Sequence, residues 1–226
     1  VKLDRENLCK TATGLAVTVV LALGLGLAVP AVFSPTGSGI APARAAGDAE
    51  LLKAGALGDM ELGRKDAPVT IIEYASMTCP HCANFHTNVY PELKRRYIDT
   101  GKVRFIYREY PLDNRALAAA MLTRCAPREK FFPLVKVFFE RQKTWARSAD
   151  PAGALLKIAK FAGFTSKSFN ECLKNEKIAK GVLENKAVGS KFKVEATPSF
   201  FINGKLLRGG FSVEDLDAVI KPYLPG

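Results

Sequence analysis

Cys79 and Cys82 are separated by only Pro80 and His81. Two thiols at this spacing can close a disulfide on each other or ligate a metal, and their surroundings decide which. Residues 69–75 form an apolar, β-branched run that reads as a buried strand. Pro80 suits the first turn of a helix, where a missing N–H costs nothing. Cys79 therefore falls where a strand ends and a helix begins. There, unpaired N–H groups and the helix macrodipole stabilise a thiolate and lower its pKa. A thiolate of low pKa leaves readily, so a disulfide built on it is open to attack. Cys82, a turn further on, is placed to close or resolve a mixed disulfide. His81 can add positive charge or a hydrogen-bond donor to the Cys79 sulfur. Glu73, on the buried strand, can accept or return the proton of Cys82, and a buried carboxylate is costly without such work.

A zinc site would use Cys79, Cys82 and His86, but the sequence has only two histidines and no second cluster nearby to complete four ligands. His86 is instead read as a solvent-facing or partly packed helix residue. Three cysteines remain. Cys9 precedes an apolar stretch, whereas a lipid-attachment cysteine would follow one. Cys125 and Cys172 admit two readings: a structural disulfide, as suits an oxidising compartment, or two buried thiols acting as small apolar residues.

The elements that must position the pair follow in order. A helix is expected over about 80–99, kinked at Pro91 and ended by Gly101. A second strand covers 103–107, and strand–helix–strand order implies a parallel pair. Residues 112–194 turn wholly helical, with candidates at 114–125, 131–147, 151–162, 167–175 and 176–190. The Phe131, Phe132, Phe138, Phe139 stripe is read as core, part of which could line an apolar substrate groove. Strands at 199–202 and 205–208 flank Asn203-Gly204, the strongest short hairpin signal. A last helix opens at Ser212 with a capping-box-like start and buries Leu216, Val219, Ile220 and Tyr223. With the helical block removed, a compact α/β unit remains.

The first 45 residues differ from the rest. Lys2, Arg5 and Lys10 precede an uncharged stretch over 11–43, Pro30 breaks its apolar core, and Ala43-Arg44-Ala45 offers small residues for a peptidase before Ala46. A cleaved signal peptide and a retained membrane anchor are both open, and both send the remainder out of the cytoplasm. Residues 46–57 read as a linker and 58–226 as the folded domain. Of the net charge of +11, residues 1–45 hold four basic and two acidic groups, leaving +9. Those charges are spread over helices without an aromatic-interleaved stripe, which reads as a solvated surface and not a nucleic-acid site.

Strand, Cys79-Pro80-His81-Cys82, helix and the distant Thr197-Pro198 entering an Asn-Gly hairpin together resemble the DsbA-like branch of the thioredoxin-fold family. The resemblance covers about residues 58–226. It implies an α/β thioredoxin fold with an all-helical insertion at about 112–190. It implies that Cys79 is the exposed nucleophile, that Cys82 resolves, and that Thr197-Pro198 is cis, faces the pair and offers backbone to an extended substrate. Glu73 matches the family's buried acidic position, and the Pro-His dipeptide is associated with strongly oxidising members. The aromatic residues often found before the motif in enterobacterial members are replaced by Ser76-Met77-Thr78.

The expectation is thus a monomeric dithiol oxidase of the periplasm or cell envelope, acting on folding exported proteins with free cysteines. The resemblance implies reoxidation by a membrane partner of the DsbB or VKOR type. No metal, flavin or nucleotide motif is present, so the cysteine pair is itself the redox group. Two rivals stand: a reductase or isomerase of the same fold, and a non-catalytic client-binding module. Isomerases of this superfamily commonly carry a separate dimerisation domain, for which the 12 residues of 46–57 leave no room.

Overall fold

β-Branched residues dominate the run Val69–Ala75, and it forms the central strand, β2, of a five-stranded mixed sheet. The computed structural model describes residues 49–209 and 211–224; the leader readings for 1–45 and Cys9 lie outside the described residues. The other strands are β1 (Met60–Leu62), β3 (Val103–Glu109), β4 (Ser199–Ile202) and β5 (Lys205–Arg208). Their order is β1-β3-β2-β4-β5, with β2 and β3 parallel and every other pair antiparallel. Asn203 and Gly204 both adopt positive φ in the β4–β5 turn, as their residue types favour.

Period-two alternation sorts the β2 side chains onto two faces. Ile71 and Ala75 belong to the main core with Phe105, Tyr107 and Phe200, while Ile72 and Tyr74 join a second core with Ile106 and Phe201. Glu73 shares the parity of Ile71 and Ala75, so its carboxylate enters the main core. Its register partners there are Tyr107 on β3 and Phe200 on β4.

Helix α1 is one helical run made of Pro80–Asn84, a π-helical turn Phe85–Val89, an α-helical turn Tyr90–Leu93 and a second π-helical turn Lys94–Ile98. The irregularity at Pro91 is thus a wide turn immediately before the proline, which makes room for a ring that lacks an N–H. The helical insertion comprises α2 (Asn114–Cys125), α3 (Phe131–Glu140), α4 (Gln142–Trp145), α5 (Pro151–Ala159), α6 (Ser166–Leu173) and α7 (Glu176–Lys191). Helix α8 (Val213–Ile220) follows the hairpin and starts at a Ser212–Asp215 capping box. It buries Leu216 and Ile220, whereas Tyr223 beyond it is 42% exposed.

Three sequence expectations change. The single helix over 131–147 is broken at Arg141 into α3 and α4. The Phe138 carbonyl, which an unbroken helix would pair with the N–H four residues on, accepts the Trp145 indole N–H instead at 2.7 Å. The second strand runs two residues past 107, which places Arg108 and Glu109 inside the sheet. The stretch read as a linker is no free tether from residue 51 onward. Leu51 is buried, and the buried Arg108 guanidinium donates to the carbonyls of Leu51 and Lys53 at 2.8 and 3.1 Å and pairs with Asp59 at 3.0 Å. A buried guanidinium needs such acceptors, and the chain before β1 supplies them. Among the described residues, no helix is long and apolar enough to cross a membrane.

Candidate active site

Cys79 caps the N-terminus of α1 and Cys82 lies one turn inside it, both as free thiols. Cys79 is 6% exposed and Cys82 is fully buried. The Thr197-Pro198 peptide bond is cis, and it brings the Thr197 carbonyl to the redox pair: Cys79 Sγ–H donates to it at 3.1 Å. The Thr197 hydroxyl is buried and has no hydrogen-bond partner.

The two sulfurs differ sharply in their affinity for a proton. The Cys79 thiol is lowered to about 5, chiefly by a hydrogen bond from the Cys82 thiol. Desolvation opposes the shift, while the Thr197 side chain and the backbone N–H groups of Cys82 and His81 add to it. Cys82 is pushed well above the ordinary thiol range, first by burial, then by its hydrogen bond to Cys79 and by the charge of Glu73. One thiol is ready to ionise and its neighbour holds its proton.

The loop before Cys79 is fixed from outside the α/β unit. Gln142, at the start of α4, is buried and its amide donates to the Met77 and Cys79 carbonyls at 2.9 and 2.8 Å. Thr78 donates to Asp113, the N-cap of α2, at 2.7 Å. The helical insertion thus holds both sides of the redox loop.

The thioredoxin family matches this chain over residues 56–222. The crystal structure of Wolbachia pipientis alpha-DsbA1 is 34% identical and superposes with a TM-score of 0.70, covering 77% of this chain and 94% of that one. This chain is a DsbA-like member of the thioredoxin family. A Rickettsia felis protein named as a protein-disulfide oxidoreductase is 35% identical over 168 residues, 74% of this chain and 60% of that protein. The chain therefore spans about 60% of the length of that relative. Disulfide bond formation protein D of Bacillus subtilis is 26% identical over 175 residues, 75% of this chain and 78% of that protein.

In this DsbA-like chain, Cys79, Cys82, Thr197 and Pro198 come together, and Glu73 lies behind Cys82 on β2. Pro80 and His81 are exposed. The His81 backbone N–H is among the groups that lower the Cys79 thiol. Cys125 and Cys172 form a disulfide that ties α2 to α6, with a Cα–Cα distance of 6.0 Å. The phenylalanine stripe is core: Phe131, Phe138 and Phe139 are buried. Phe132 lines a cavity of about 710 Å³ with Met60, Leu62 and Tyr90, and none of residues 76–82 or 197–198 lines it.

His86 is the clearest correction. It is 4% exposed, not solvent-facing, and its Nε2 lies 2.9 and 3.1 Å from the two oxygens of Glu73. Its spacing of four from the buried Cys82 put it on the same helix face, which was the available signal. Among the described residues, no group of three His, Cys, Asp or Glu side chains is arranged to hold a metal ion. Gln142 was missed outright, because nothing in residues 131–147 signals the break that aims it.

Proposed function

We propose that this protein is an exported dithiol oxidase that introduces disulfides into folding proteins through Cys79 and Cys82. The asymmetry of the two thiols carries the reading: Cys79 is lowered to about 5 while Cys82 is held well above the ordinary range. A value near 5 lies between about 7 for thioredoxin and about 3.5 for the strongly oxidising type. Stabilising the thiolate of the reduced pair makes its disulfide a better oxidant. The printed name of the Bacillus relative, a disulfide bond formation protein, supports the same direction.

In the proposed cycle a substrate thiolate attacks Cys79 Sγ of the Cys79–Cys82 disulfide. The S–S bond breaks, and Cys82 departs as a thiolate and takes up the proton that the attacking substrate thiol released, with the Glu73 carboxylate as the nearby relay. A second substrate thiolate attacks the substrate sulfur of the mixed disulfide, forming the product disulfide and expelling Cys79 as its stable thiolate. Two electrons pass from substrate to enzyme. Thr197, held by cis-Pro198, presents backbone to an extended substrate beside Cys79. The cysteine pair is the only redox group in this scheme. The protein acts as a monomer in the periplasm or cell envelope, and a membrane partner of the DsbB or VKOR type returns it to the disulfide form.

The test is the reduction potential of the protein, by equilibration with glutathione. A potential near about −120 mV supports the oxidase, whereas about −270 mV, the thioredoxin level, overturns it in favour of a reductase. A non-catalytic client-binding module would keep its role in a complementation assay after Cys79→Ser, and the oxidase would lose it.

A further inference from the structure

The scheme above gives the buried imidazole of His86 no task. His86 lies behind Cys82 on α1, and its Nε2 sits within hydrogen-bond distance of both Glu73 oxygens, at 3.1 and 2.9 Å. Both side chains are sealed from water, at 3% and 0% exposure. The imidazole stacks on Phe139 of α3 with ring centroids 4.3 Å apart and planes 16° from parallel, and Phe85 and Tyr107 meet it edge-on. Its orientation is therefore set by packing, and it points at the carboxylate.

Among the described residues, the Glu73 carboxylate has no hydrogen-bond partner other than His86. The titratable groups facing it are Cys82 and Tyr90 on α1 and Tyr107 on β3. Burial first, and then the Glu73 charge among other causes, pushes all three up, so each stays neutral near neutral pH. From α3, Phe139 packs on the His86 ring and Phe131 on the Tyr107 ring. His86 is thus the one group in contact with this carboxylate that can offset its charge. A buried carboxylate without a partner takes up a proton instead of staying ionised.

We propose that His86 is a positioning residue for thiol–disulfide exchange: its Nε2–H clamps both oxygens of Glu73 and holds that carboxylate in place for the Cys82 proton. The inference rests on the reading of Glu73 as the proton acceptor of Cys82. In reoxidation by a disulfide R–S–S–R, the Cys79 thiolate attacks one sulfur, forming Cys79–S–S–R and expelling RS⁻. Cys82 Sγ–H then passes its proton to Glu73, its sulfur attacks Cys79 Sγ, and the second RS⁻ leaves. The dithiol loses two electrons, R–S–S–R gains them, and the single proton rests on the Glu73–His86 pair until solvent removes it.

The experiment follows reoxidation of the reduced protein by oxidised glutathione from about pH 5 to about pH 9, the range between the folded and ordinary values of the Cys79 thiol. His86→Phe keeps an aromatic ring against Phe139 and removes the donor. It should move the rate profile to higher pH by about one unit, which is about tenfold slower closure near neutrality. His86→Gln places an amide N–H where Nε2–H stands and should recover the rate to within about threefold, a loss well under one pK unit. The pair Glu73→Gln with His86→Phe should be no slower than Glu73→Gln alone. An unshifted His86→Phe profile beside a slow Glu73→Gln protein overturns the role of His86 and leaves that of Glu73 standing. An unslowed Glu73→Gln protein overturns the acceptor reading and the His86 proposal with it. Extra slowing in the double variant, or no recovery with His86→Gln, assigns the effect to packing and overturns the proposal.

Discussion

The donors that hold the Cys79 thiolate differ in kind, and that difference makes them separable. The Cys82 thiol is itself part of the redox pair, and the N–H groups of His81 and Cys82 belong to the backbone. The Thr197 hydroxyl alone can be deleted without disturbing either. Thiolate absorbance followed against pH should give a Cys79 midpoint near 5, and Thr197→Val should raise it. The same titration sets the pH dependence of stability. Cys79 is depressed from 9.0 to about 5 in the folded dithiol protein. Its contribution is therefore complete above pH 9.0, shrinks as pH falls, and is gone below about 5. Cys82, shifted upward, remains neutral through that window and does not cancel it. Denaturant midpoints of the reduced and oxidised proteins should diverge in favour of the reduced form as pH rises from about 5 to 9. Parallel midpoints would contradict the asymmetry on which the oxidase reading stands.

At the scale of elements, the break between α3 and α4 matters more than any helix it separates. An unbroken 131–147 helix would carry Gln142 on past the redox loop. The turn at Arg141, with Trp145 satisfying the freed carbonyl, instead delivers its amide to two carbonyls flanking Thr78. Gln142→Leu should lower unfolding free energy by about 1–3 kcal/mol, the cost of a buried acceptor left unpaired, read by urea unfolding. The Cys79 carbonyl keeps the Ala83 N–H, so the Met77 carbonyl bears most of that loss. Loosening this loop should also alter the reduction potential, whereas a variant distant from the loop would leave it in place. Helix α7 shows the opposite economy of space: Gly189 lies where a Cβ would stand 2.8 Å from the Tyr74 ring, so the helix can settle on the second core only with glycine there.

For the molecule as a whole, the helical insertion is stapled as well as packed. The Cys125–Cys172 link joins α2 to α6 across a separation of 47 residues. Chain-entropy arguments assign such a loop about 4 kcal/mol. Cys125→Ala with Cys172→Ala should lower unfolding free energy by up to that amount, read as a fall in Tm. The Cys79–Cys82 pair should retain its Cys79 titration near 5, since none of the groups that set it lies on the staple. A change in that midpoint would show that the insertion transmits its own redox state to the active site through α2, whose N-cap Asp113 holds Thr78.

Local order along the chain determines much of this architecture. Strand β2, the Cys79–Cys82 pair at the head of α1, the parallel β2–β3 pair, the Asn203-Gly204 hairpin and the helical character of 114–191 all follow from period, turn chemistry and capping, which act between residues close in the chain. The DsbA-like resemblance added the distant Thr197-Pro198. The tertiary structure decided which side chains converge on the pair. His86 was legible as a helix residue but not as the partner of Glu73, because the parity of a strand must first be packed against the face of a helix. Gln142 was not legible at all: its role depends on a helix break satisfied by Trp145, seven residues beyond the carbonyl it serves. The 51–57 stretch looked like a linker until Arg108, placed inside β3, drew its carbonyls onto the sheet. Hydrogen bonds to buried polar groups are set by who is left without water, and that is known only once the chain has closed on itself.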